Sequence, residues 1–148
     1  MASGDGTLAC LGLGSCVAVI LYDAEAHVGG LVHVVLPSAS LSRDRDNPAR
    51  FAETAVPMLL EQLLRAGAVR GRITGRLVGG ASLFALLTPP GTVHIGQRNV
   101  SACRAALAAH GIDLTAESVG GENGRSVWFA VDTGVVTVRS VGHDAETL

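Results

Sequence analysis

The chain has 148 residues, 48% of them hydrophobic and 3% aromatic, with a formal net charge of −2. That length and composition suit one domain with a core of Val, Leu, Ile and Ala, while the 11 positive residues, all Arg, are scattered and lack the basic face of a nucleic-acid binder. Three unpaired cysteines point to a reducing cytoplasm, and neither a charged leader nor an apolar run of about 18 residues implies export or membrane insertion.

Met1 to Gly6 is a polar start. Cys16 to Tyr22 is apolar and β-branched and predicts a strand buried on both faces. Asp23 to His27 reads as a turn, Gly29-Gly30 as a break, and Leu31 to Leu36 as a second strand carrying His33, so a hairpin would bring Cys16 near His33. Pro37 to Pro48, with Arg43, Asp44, Arg45 and Asp46, predicts an exposed loop. Apolar ridges through Phe51, Ala55, Leu59 and Leu63 and through Ala52, Val56, Leu60 and Leu64 predict a helix capped by Asn47 and ending at Gly67, with Pro57 kinking or splitting it near Thr54. Arg72 to Val78 reads as a third strand closed by Gly79-Gly80, and Thr88 to Gly91 as a turn. Asn99 is expected to cap a helix through Val100, Cys103 and Leu107 that stops at Gly111. Three strands follow at about Ile112 to Val119, Arg125 to Val131 and Val135 to Val141, separated by glycine-bearing turns. Repeats, linkers and a second domain are not indicated, so residues 1 to 148 are expected to form one domain.

A cysteine thiol with pKa near about 8.5 is mostly protonated at neutral pH and needs a base or dipole to become a nucleophile. His33 is the candidate base for Cys16. Gly12, Gly14 and Ser15 just ahead of it would permit a sharp turn whose N–H groups could hold an oxyanion. The plainer alternatives stay open: Cys16 as a small core residue and His33 as a structural histidine. Cys10, Cys16, His27 and His33 could be imagined as metal ligands, but no Cys-x-x-Cys spacing is present and no metal is expected. Gly12-Leu13-Gly14 has no third glycine at position 17 and no strand expected before it, against a dinucleotide loop. The groups Arg43/Arg45/Arg50 and Arg65/Arg70/Arg72/Arg76 could meet acidic partners or simply form a solvated face.

The stretches LGLGSCVAVILYD, VGGLVHVVLP, VGGASLF, IGQRN and VGGENGRSV, in this order, resemble the CheD family of chemoreceptor glutamine deamidases from about residue 8 to about residue 140. The resemblance implies a cysteine hydrolase that converts glutamine side chains of methyl-accepting chemotaxis receptors to glutamate and releases ammonia, without a cofactor. It implies an α+β fold, a mixed β-sandwich flanked by helices, similar to the cytotoxic necrotizing factor toxins. It also implies a CheC-type phosphatase as partner. Cys16 falls at the family nucleophile and His33 at its general base, with Gly14 and Ser15 in the oxyanion and substrate loop.

The chain departs from the family pattern at several positions. Cys10 stands where the family has a threonine implicated in the triad, and a thiol is a weaker hydrogen-bonding group than a hydroxyl. Arg76 replaces a frequent Lys, Ser118 a frequent Asp, and Pro57 is inserted in the first helix. A strand that usually precedes the Gly-Leu-Gly-Ser-Cys block is expected to be missing, leaving a sheet edge open. A chain whose chemistry had been lost would instead act as a regulatory module that binds a CheC-type phosphatase or receptors.

Overall fold

The computed structural model describes residues 1–148. Its central strand, β3 (Val17–Asp23), is buried along its whole length, because alternate side chains feed two different cores. Val17, Val19 and Leu21 enter one cluster, and Ala18, Ile20 and Tyr22 enter the other. β3 pairs antiparallel with β4 (Val28–Val34) on one side and with β5 (Thr74–Gly79) on the other. β6 (Asp113–Val119) adds parallel to β5, and the short β1 (Ala2–Ser3) adds to β4, giving the order β1-β4-β3-β5-β6. The second sheet is antiparallel, in the order β2 (Thr7–Leu13), β7 (Arg125–Ala130), β8 (Val136–Ser140), β9 (Glu146–Thr147).

Two helices, α1 (Ala52–Arg65) and α2 (Ile95–Ala109), cover the other face of the first sheet. Leu59, Leu60 and Leu63 of α1 and Val100, Cys103 and Leu107 of α2 pack there on Val17, Val19 and Leu21, and each fully buried Leu or Val contributes about 1.5–3 kcal/mol. The second sheet packs Val127, Phe129, Val136 and Val138 on the opposite face. The architecture is therefore α+β, in three layers of helices, mixed sheet and antiparallel sheet.

Gly29 and Gly30 lie inside β4 and do not break it. They let both outer layers approach. A Cβ on Gly29 would stand 2.5 Å from Cε1 of Phe129 in the second sheet, and one on Gly30 2.5 Å from Cδ1 of Leu59 in α1.

A strand does precede the Gly-Leu-Gly-Ser-Cys block, contrary to the expected gap. β2 is an outer strand with only Cys10 and Leu13 buried, and its ladder with β7 is interrupted between those two residues, where Gly12 takes a φ of 68°. An exposed, bulged strand lacks the apolar alternation by which a strand is recognised in sequence. The outer edge of β4 is paired at Val28 and Gly29 by β1.

Helix boundaries also differ from expectation. Asn47 caps a separate 3-10 turn, Pro48–Arg50, its Oδ1 accepting from the Ala49 amide at 3.0 Å. Phe51 is extended, bridges to Leu36 and serves as the start of α1. Pro57 does not split α1, which runs unbroken from Ala52 to Arg65. Its missing N–H deprives only the carbonyl of the exposed Glu53 four residues earlier. Asn99 lies within α2 rather than at its start. The cap is His94, whose side chain accepts from the Gln97 amide while Gln97 Oε1 accepts from the His94 amide at 3.0 Å.

Candidate active site

Gly14, Ser15 and Cys16 carry the chain from β2 in one sheet to β3 in the other. All three of their carbonyls are engaged. The Ala81 amide donates to Gly14 at 2.8 Å, the Asn99 side-chain Nδ2 to Ser15 at 2.9 Å, and the Gly80 amide to Cys16 at 2.7 Å. With the carbonyls drawn inward, the Gly14 and Ser15 amides donate to no other group of the protein, and the Cys16 amide faces its own sulfur. Uncommitted N–H groups beside a thiol can receive a developing oxyanion.

The segment that holds this loop is built on glycine. Gly79 has a φ of 114°, and a Cβ there would stand 2.3 Å from the Cys16 carbonyl oxygen. Gly96, in the first turn of α2, has Gly80 and Ala81 carbonyl oxygens at 2.6 and 2.5 Å from its would-be Cβ. The backbone of 79–81 is thereby pressed between the Gly14–Cys16 loop and the start of α2. Arg125 holds it from the other side, with Nη1 donating to the Gly120 carbonyl at 2.7 Å and the Gly79 carbonyl at 3.4 Å.

Cys16 and His33 occupy the same face of the first sheet. In the β3–β4 register Ala18 lies opposite His33 and Val17 opposite Val34. Cys16, two residues before Ala18, packs with it in the core between the sheets and is the diagonal neighbour of His33, a relationship that spans about 7–8 Å between backbones and lies within side-chain reach. Cys16 is half-buried and His33 is exposed. Neither makes a side-chain hydrogen bond to the other, and neither ring nitrogen of His33 has a partner in the protein.

The electrostatics describe a neutral pair at rest. Burial pushes the Cys16 thiol above its ordinary pKa, opposed by its own amide and by the Ser15 hydroxyl. Desolvation lowers the His33 imidazole below its ordinary value. A protonated sulfur and an unprotonated imidazole on one sheet face suit a reaction in which the thiol proton moves to the ring as the sulfur attacks. Cys103 is fully buried in the helix-side core with its thiol pushed up to about 12, and is inert by comparison.

Cys10 projects from β2 into the same inter-sheet core as Cys16. Its thiol is raised by burial and further by the nearby Cys16 charge, and it makes no hydrogen bond to His33. His27 is elsewhere, in the turn at the far end of the β3–β4 hairpin, its Nδ1 bonded to the Asp132 carbonyl at 2.9 Å. The imagined ligand set Cys10, Cys16, His27 and His33 therefore does not converge. Of the arginines, Arg72 pairs with Asp23 and Glu25, and Arg76 donates to the Gly134 carbonyl, so that group is partly spent inside the fold.

Ser15 lines a cavity of about 250 Å³ with Ala81, Ser82, Leu83, Phe84, His94, Ile95 and Gly96. Leu83 closes over Gly14, its Cδ1 3.0 Å from where a Cβ would stand. Beyond it Phe84, Leu86, Leu87 and Val93 are 68%, 86%, 82% and 68% exposed, an apolar rim that a small-molecule site would not need. Cys16 lies next to this cavity's Ser15 wall, and neither it nor His33 is in the lining; larger surface clefts, such as one of about 350 Å³ between residues 37–41 and α2, contain no cysteine. Sequence reading did not assign a site role to Asn99, Gly79 or Gly80. Their signal lay in the VGGA and IGQRN blocks, which form one contact set around the loop.

A family model described as CheD chemotactic sensory transduction matches residues 35–140. The chain is 39% identical to the probable chemoreceptor glutamine deamidase CheD of Desulforamulus reducens, over 96% of this chain and 86% of that one. It is 43% identical to the protein so named from Symbiobacterium thermophilum, over 97% and 88%, and 40% identical to that of Pyrococcus abyssi, over 93% and 84%. The family-model match begins two residues after His33, whereas alignments over 96% and 97% of the chain necessarily span both Cys16 and His33.

Proposed function

The chain belongs to the CheD family, and we propose that it is a chemoreceptor glutamine deamidase whose acyl intermediate is carried on Cys16. The observation that carries this reading is the loop itself, a half-buried thiol flanked by uncommitted amides with an imidazole on the same sheet face. His33 takes the Cys16 proton as sulfur attacks the amide carbon of a glutamine side chain, and the Gly14, Ser15 and Cys16 amides hold the oxyanion. His33 returns that proton to the departing ammonia. Water, deprotonated by the same imidazole, then hydrolyses the thioester to glutamate and free thiol. Ser15 supports the sulfur while negative charge builds on it.

The exposed rim of Phe84, Leu86, Leu87 and Val93 beside the cavity supports a protein substrate, a receptor of the methyl-accepting type, with a CheC-type phosphatase as a further partner of the same cytoplasmic system. No helix is long and apolar enough to cross a membrane. The three-layer α+β arrangement is read as a single cysteine-hydrolase domain of the kind found in cytotoxic necrotizing factors.

Incubating the protein with a receptor cytoplasmic fragment and measuring the intact mass tests the reading. Wild type converts amide to acid at discrete glutamines, and Cys16→Ala does not. Equal conversion by Cys16→Ala overturns it. The unpartnered His33 ring and the raised Cys16 and Cys10 thiols favour a second reading, a docking module without chemistry. A Cys16 alkylation rate unaltered by His33→Ala, together with no receptor conversion, would establish that alternative.

A further inference from the structure

Asn99 is 0% exposed, and its two donated hydrogen bonds join places far apart in the chain. Its Nδ2 donates to the Ser15 carbonyl and to the Val35 carbonyl, each at 2.9 Å. Ser15 is the residue before the nucleophile, and Val35 follows the β4 strand two residues after His33. One planar amide group therefore sets the separation between the two chain segments that carry sulfur and imidazole. Both of its N–H bonds are used, while Oδ1 is buried with no partner in the protein. An unsatisfied buried acceptor costs stability, and its retention calls for an explanation other than packing.

We propose that Asn99 is a positioning residue of the deamidase, holding the Ser15–Cys16 peptide so that its N–H side faces the substrate and Cys16 stays in register with His33. This rests on the reading of Cys16 as nucleophile and His33 as base. The mechanism is steric and directional. A peptide unit has its C=O and N–H on opposite sides, so fixing the Ser15 carbonyl toward Asn99 fixes the Cys16 N–H away from it. The Gly14 and Cys16 carbonyls are held by backbone amides of residues 80–81. The Ser15 carbonyl between them has the Asn99 side chain as its donor. Removing that donor frees the peptide that carries one of the oxyanion donors and also detaches the loop from the end of β4. Asn99 touches neither substrate nor reacting atoms in this scheme.

The test uses the full-length protein and two replacements. Asn99→Asp has the same size and exchanges the two donors for an acceptor. Asn99→Ser is smaller and keeps one donor. Misplacing a reacting group by about 1 Å can cost about a hundredfold, so we expect kcat on a receptor fragment to fall about tenfold to a hundredfold for Asp, with KM changed less than about twofold, and Ser to lie between Asp and wild type. The rate of Cys16 alkylation by iodoacetamide should fall in the same order, and its pH profile should move. A merely structural role would lower the unfolding midpoint and leave these readouts alone. A kcat within twofold of wild type in both folded variants overturns the proposal, as does an unchanged alkylation profile.

If neither variant folds, the wild-type protein supplies the measurement. The Asn99 side-chain amide protons should be protected from exchange with solvent and should shift when Cys16 is carboxamidomethylated. Exchange at solvent rates, or no shift, overturns the proposal. Alkylation requires no glutamine substrate, so loss of thiol positioning in the variants combined with no receptor conversion by wild type would refute the deamidase reading and leave the Asn99 assignment standing.

Discussion

Replacing Gly79 by alanine strikes the Gly14–Cys16 loop from behind without touching the Cys16 thiol or the His33 ring. The new Cβ would lie 2.3 Å from the Cys16 carbonyl oxygen, about 1 Å inside an ordinary C···O approach of about 3.3 Å. Both partners are backbone, so no flexible side chain can yield. The residue would also be held at a φ of 114°, a conformation that costs a non-glycine residue about 1–3 kcal/mol. If the carbonyl retreats, the 2.7 Å hydrogen bond from the Gly80 amide is lost, worth about 1 kcal/mol more. The sum, about 2–4 kcal/mol, is a large part of the 5–15 kcal/mol by which domains are usually stable, roughly speaking, yet should leave a folded protein at room temperature. A shift of about 1 Å in Cys16 should lower kcat about a hundredfold. Denaturant unfolding and receptor deamidation measure the two effects separately. Gly142→Ala is the control: its φ is 76° and nothing lies within 4 Å of the new Cβ, so it carries backbone strain without collision, and kcat should not change. A Gly79→Ala protein with kcat within twofold of wild type would refute the claim that this contact sets the position of Cys16.

The acid limb of kcat/KM should fall at a pH below the ordinary imidazole range, because desolvation lowers the His33 pKa and the base is lost only once it is protonated; a midpoint at or above that range contradicts the assignment. Cys10 makes no hydrogen bond to His33, whereas a hydroxyl at position 10 would be a stronger donor and acceptor for an imidazole, so Cys10→Thr should raise kcat by a few-fold, and an unchanged or lower kcat would remove Cys10 from the site. Asp23 is 0% exposed; burial opposes its ionisation, but donors from Val69, Arg72 and Ala26 outweigh it and hold the carboxyl below its ordinary value. Its contribution is then full above the ordinary carboxylate range and is lost as pH falls through the lowered folded value. Asp23→Asn should destabilise by about 2–4 kcal/mol at neutral pH and flatten stability against pH in the acid range, whereas parallel curves for variant and wild type would show that Asp23 is not the group concerned.

What could be read in the sequence was whatever one segment decides alone. β3 announces itself because a strand covered on both faces is apolar along its run, here from Val17 to Tyr22 with only Asp23 at its end charged, and the turn that follows fixes His33 on the face of Ala18. Parity along a hairpin is a local property, so the placement of Cys16 and His33 on one sheet face follows from it. β2 was hidden for the opposite reason: five of its seven residues are not buried, and a bulged outer strand leaves no period to detect. Asn99 shows the limit most clearly. A helix-starting asparagine and a buried asparagine that bridges two carbonyls look alike in a local window, since what separates them is the position of Ser15 and Val35, which are 84 and 64 residues away. The same holds for Gly29, Gly30 and Gly79, whose missing Cβ atoms answer to Phe129, Leu59 and Cys16 rather than to a turn. The candidate nucleophile and base, Cys16 and His33, are therefore legible as residues on one hairpin, while the groups that hold the Cys16 loop come from the end of β5, its trailing glycines and α2. It follows that loss of activity without loss of Cys16 or His33 should arise by substitution at 79–81, 96 and 99, positions that no motif centred on the cysteine contains.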